Sequence, residues 1–119
     1  MGVVDLLYKA EAAGLRIVRD GDTLLVYGPP EAEPIVEQLR EHKPAILNQW
    51  WNWQARRLLA GVDDLDLRQD LADVFDERAA ICEYDGGLPA PDAEQLAFGE
   101  LVAEAIRRGV NTTGAEVPR

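Results

Sequence analysis

Apolar residues recur along this chain in two rhythms, one helical and one of period two. From Val3 to Ala13, Val4, Leu7 and Tyr8 fall on one face, with Leu6 and Ala12 beside it and Lys9 and Glu11 pointing away. That spacing predicts an amphipathic helix. Gly14 stands where such a helix closes through a left-handed residue. Leu15 to Arg19 and Asp22 to Tyr27 are then rich in β-branched and aliphatic residues, with Asp20-Gly21 between them. This predicts a β-hairpin with a two-residue turn. The implied register pairs Arg19 with Asp22, Val18 with Thr23, Ile17 with Leu24, Arg16 with Leu25 and Leu15 with Val26. One face carries Leu15, Ile17, Leu24 and Val26, and it must pack on helices because a lone hairpin is marginal in water. The other carries Arg16, Val18, Thr23, Leu25 and Tyr27.

Gly28-Pro29-Pro30 stops the second strand. A helix is expected over 31–41, with Ile35, Val36 and Leu39 as its stripe and acidic residues in its first turn. His42-Lys43-Pro44 interrupts it, and Pro44 suits the first turn of the next helix. That helix, 44–60, carries Ile46, Leu47, Trp50, Trp51, Trp53 and Leu58, an apolar arc wider than an ordinary surface helix buries. Gly61 ends it, and Val62-Asp63-Asp64 reads as a linker. A fourth helix is expected over 65–84, with Leu67, Leu71, Val74, Phe75, Ile81 and Cys82 inward. A fifth is expected over 91–108, with Leu96, Phe98, Leu101, Val102 and Ile106 inward. The pattern predicts an α+β fold: residues 1–60 as helix, hairpin and two helices, 61–109 as an acidic two-helix extension, and 110–119 as a polar tail that frays.

Composition narrows the chemistry. The 119 residues hold one cysteine, Cys82, and one histidine, His42. A disulfide, a zinc site or a His-based triad needs more partners than these supply. Cys82 reads as a core residue and His42 as a capping or surface residue. We expect no metal, no cofactor and no enzymatic activity. The hydrophobic share of 47% argues for a folded chain. No apolar run approaches the roughly 18–20 residues that cross a bilayer. The N-terminus lacks the basic start and apolar core of a signal peptide, so a cytoplasmic location is expected.

Net charge is −10, from 12 basic and 22 acidic residues. Residues 1–50 hold 5 basic and 8 acidic side chains, net −3, which leaves −7 for residues 51–119. Such a surface repels nucleic acid and anionic membranes and favours protein partners, basic ones included.

Residues 3–51 resemble the TubC N-terminal docking domain, a family found at the start of nonribosomal peptide synthetase subunits. The resemblance rests on Asp5-Leu6-Leu7, Ala13-Gly14-Leu15-Arg16-Ile17, Asp20-Gly21-Asp22-Thr23-Leu24 and Leu39-Arg40-Glu41-His42-Lys43-Pro44-Ala45-Ile46-Leu47. It covers about two fifths of the chain. It implies a helix, a hairpin and two helices, with the exposed hairpin capturing a short acidic tail of a partner subunit. Carried over by position, the partner-binding residues are Arg16, Val18, Thr23, Leu25 and Tyr27. The family's second strand is typically basic, whereas Thr23, Leu25 and Tyr27 are uncharged. A less charged partner, or this chain's own second half, is therefore expected. In a synthetase such a unit leads into catalytic domains, whereas here two more helices follow. The same fold also looks familiar from accessory proteins of phages and mobile elements. The stretch from Phe75 to Leu88 is similar to a segment of mobile-element and phage replication proteins.

Three further features have competing readings. Trp50, Trp51 and Trp53 either pack the C-terminal helices onto the first half or form a homodimer hot spot. Nucleic-acid stacking lacks the positive groove it needs. Asp66, Asp70, Asp73 and Glu77, in steps of four, three and four, share one helical face. They are either a solvated face or a nucleic-acid mimic, as in a phage or mobile-element inhibitor that blocks a nucleic-acid-binding complex such as a host defence system. Arg78 falls near the centre of the fourth helix's apolar arc and is expected to snorkel or to pair with Asp85 or Glu94. Tyr84-Asp85-Gly86-Gly87 reads as a helix cap and turn, without the lysine of a phosphate loop. The favoured expectation is a non-enzymatic protein–protein docking or accessory module, with the acidic inhibitor as its rival.

Overall fold

The structure, a computed structural model, describes residues 2–112. Most of the expected tail, from 113 onward, lies outside them. The fold is α+β: five α-helices and one antiparallel hairpin. In order these are α1 (Val3–Ala12), β1 (Arg16–Asp20), β2 (Thr23–Tyr27), a 3-10 turn (Pro30–Ala32), α2 (Glu33–Glu41), α3 (Lys43–Ala60), α4 (Leu65–Tyr84) and α5 (Ala90–Arg107). No helix among the described residues is long and apolar enough to cross a membrane.

The chain divides into two units, 1–49 and 50–119. The division falls within α3 rather than at Gly61, where the linker composition places it. The tryptophan segment of α3 thus belongs with α4 and α5, because its aromatic rings pack there: Trp51 lies 5.5 Å from Phe98 of α5.

In the first unit, α1 closes as its sequence predicts. Gly14 has φ of 86°. The Leu15 N–H reaches the Ala10 carbonyl and the Gly14 N–H reaches that of Glu11, so carbonyls of the last turn are satisfied. The buried stripe of α1 is Leu6, Leu7 and Ala10. It excludes Tyr8, which is exposed. The helix is turned so that its two adjacent leucines, rather than its tyrosine, face inward.

The hairpin register differs from the expected one by two residues. Asp20 pairs with Thr23, Arg19 with Leu24, Val18 with Leu25, Ile17 with Val26 and Arg16 with Tyr27. The turn is therefore Gly21-Asp22, with Gly21 at φ 60°. Positive φ is confined to glycines among the described residues. This suits a type II′ turn, with glycine first, over a type I′ turn, which needs positive φ at both central positions. A shift of two preserves the period-two faces. Leu15 and Ile17 are buried, with Leu24 and Val26 partly so.

Gly28 brings the end of β2 against the close of α1. A Cβ at that position would lie 2.6 Å from Leu15 Cδ2 and 3.0 Å from the Gly14 carbonyl oxygen. Both strands and α1 meet there, so the clash cannot be relieved by one side chain alone. His42 separates α2 from α3, donating its backbone N–H toward the Gln38 and Leu39 carbonyls.

In the second unit, Asp64 caps α4, its carboxylate accepting from the Asp66 and Leu67 N–H groups. The buried side of α4 is Leu71 and Phe75, with Leu67, Arg68, Ala72, Val74, Ala79 and Cys82 half-buried. This arc is turned away from the expected one, toward Arg68 and Ala72. Ile81 therefore stands exposed, and Arg78, which falls between Leu67 and Leu71 on the helix, extends into solvent, with no ion pair to Asp85 or Glu94 among the described residues. The arginine that is partly buried is Arg68, which donates from Nε and Nη2 to the Val62 carbonyl at 2.9 and 2.6 Å. On α5 the buried side is Ala93, Ala97, Phe98, Leu101, Val102 and Ala105. Three alanines take the places expected for Leu96 and Ile106, because small side chains let α5 approach α4 closely.

Gly28→Ala is expected to lower the unfolding free energy by about 1–3 kcal/mol, the usual cost of forcing volume into a packed site. Urea unfolding followed by circular dichroism measures it.

Candidate docking surface

The five residues proposed to bind a partner share one side of the hairpin in the observed register. Val18 pairs with Leu25 and Arg16 with Tyr27, and Thr23 lies beside the turn. Leu25 is 37% exposed and Tyr27 56%. Arg16 and Thr23 are also exposed, and Val18 is half-buried. Val18, Leu25 and Tyr27 thus form a small apolar patch, bordered at one end by the Arg16 guanidinium. The patch points outward because Leu15 and Ile17, on the opposite face, are taken into the core.

The backbone adds a second feature. In an antiparallel ladder closed by a two-residue turn, the closing pair and every second pair exchange hydrogen bonds. Thr23, Leu25 and Tyr27 therefore bond to β1, and the N–H and C=O groups of Leu24 and Val26 point to the outer edge of β2. The sheet has two strands among the described residues, so that edge carries no third strand. An open edge of this kind is a template for an extended chain.

Beside that edge runs a groove of ≈ 270 Å³, lined by Thr23, Leu24, Val26, Val36, Leu39, Arg40 and Lys43. Its floor is aliphatic and its rim is basic. Arg40 pairs with Glu37 at 2.5 Å and with Glu33 at 3.8 Å. These exposed contacts are worth little and leave the guanidinium open to competition. The positive charge absent from β2 is thus placed next to it by α2 and the start of α3. Sequence reasoning missed this pair. The usable signal was the helical spacing of Val36, Leu39, Arg40 and Lys43, which puts basic residues at the border of the stripe that faces the hairpin.

The other singled-out residues are dispersed. Trp50, Trp51 and Trp53 are all buried. Trp50 and Trp53 pack at 5.4 Å with a tilt of 59°, and the Arg57 guanidinium lies 4.8 Å from the Trp53 ring. Rings so enclosed do not present a surface to a second copy, which corrects the homodimer alternative for these residues. Asp66, Asp70, Asp73 and Glu77 are exposed along α4. Asp70 lies 3.7 Å from Arg108 of α5, and Asp73 accepts from Gln69 at 3.0 Å. Two of the four carboxylates are thus engaged within the chain. Cys82 is free and half-buried. The described residues contain no group of three or more His, Cys, Asp or Glu side chains placed to hold a metal ion.

One carboxyl group stands apart. Glu94 of α5 has its Oε2 buried without a hydrogen-bond partner. Burial, and then the neighbouring charge of Glu83, push its pKa above the ordinary 4.5, while a backbone hydrogen bond from Asn52 opposes them. On α5 the reverse holds for Glu104, where hydrogen bonds from Arg107 and Arg108 hold the carboxyl below its usual range.

Protein-family models, curated proteins and solved structures yield no match to this chain.

The raised pKa of Glu94 makes stability pH-dependent. Below 4.5 the carboxyl is protonated in both folded and unfolded chains, so it contributes no difference. As pH rises, the unfolded chain releases its proton first, and the folded state loses stability until Glu94 itself ionises. Glu94→Gln is therefore expected to raise the urea midpoint relative to the parent at pH 7.5, with a smaller gain at pH 4. A gain that does not shrink on acidification would contradict this.

Proposed function

We propose that this chain is a non-enzymatic docking protein whose first unit, TubC-like in character, binds a segment of another protein along its hairpin. The observation that carries the reading is the exposure of Leu25 and Tyr27 side by side with Val18, on a hairpin whose opposite face is buried. Exposed apolar side chains clustered on one face mark contact surfaces more often than isolated ones do. The open edge of β2 would supply backbone hydrogen bonds, and alternate side chains of the guest would meet Val18, Leu25 and Tyr27. Arg16, Arg40 and Lys43 would tolerate a carboxylate on the guest without requiring a strongly acidic one. The partner class that fits is an extended, mainly apolar peptide segment of a cytoplasmic protein.

The rival reading, an acidic inhibitor of a nucleic-acid-binding complex, draws support from the exposed row Asp66, Asp70, Asp73 and Glu77. It is weakened by the Asp70–Arg108 pair, which turns a cation toward the row.

A photo-crosslinking residue at Tyr27, in the native host, identifies the partner, and a binding titration then separates the readings. Val18→Asp or Leu25→Glu is expected to weaken binding about 10-fold or more, as loss of a buried interface anchor does. The combined Asp66→Asn, Asp70→Asn, Asp73→Asn and Glu77→Gln variant is expected to bind like the parent and to keep the parent's modest salt dependence. The opposite pattern, with a steep fall of binding in salt, would establish the inhibitor reading instead.

A further inference from the structure

We draw no further inference here: the strongest candidate, the aliphatic groove between β2 and α2 with Arg40 and Lys43 on its rim, belongs to the docking surface already described.

Discussion

A two-stranded hairpin has too little area to hold itself together in water, and here the burial of Leu15 and Ile17 supplies what it lacks. Everything distinctive about the first unit depends on that burial. It turns Arg16, Val18, Leu25 and Tyr27 outward as a set, because side chains alternate strictly along a strand. It also requires the end of β2 to press on the close of α1, so Gly28 has no room for a side chain. The left-handed turn at Gly14 delivers Leu15 to the core within one residue of the helix end.

The second unit solves a different problem. Its three tryptophans carry more apolar area than a small surface helix could hide, and they are enclosed rather than displayed. Trp51 packs on Phe98, and the alanines of α5 bring the helices close enough for the aromatic rings to be covered. Using alanines inward frees Leu96 and Ile106 to stand outside. The unit therefore buries its large aromatics and exposes a narrow aliphatic strip, the reverse of what residue size alone suggests.

Charge is distributed with the same economy. The acidic row of α4 is partly neutralised by Arg108, and Arg68 is held by a backbone carbonyl instead of a carboxylate. In the first unit the basic residues next to the hairpin come from α2 and α3, so a strand without charge still lies beside a basic rim. The proposed contact surface, the hairpin patch, is apolar and bordered by the Arg16 guanidinium.

The sequence by itself determined the elements. Helix period, the turn glycine and the Gly-Pro-Pro stop are local signals, set by neighbours within a few residues, and each element stands within a residue or two of its expected bounds. The hairpin faces were equally legible, since a two-residue register shift leaves them unchanged. Only the tertiary structure decided which arc of each helix is buried. Leu96 and Ile106 have the composition of core residues, yet alanines occupy the contact, because helix packing rewards close approach over side-chain size. Ile81 of α4, expected inward, stands exposed for a related reason: a rotation of α4 by a fraction of a turn is invisible in its own periodicity and is set by the helix against which it packs.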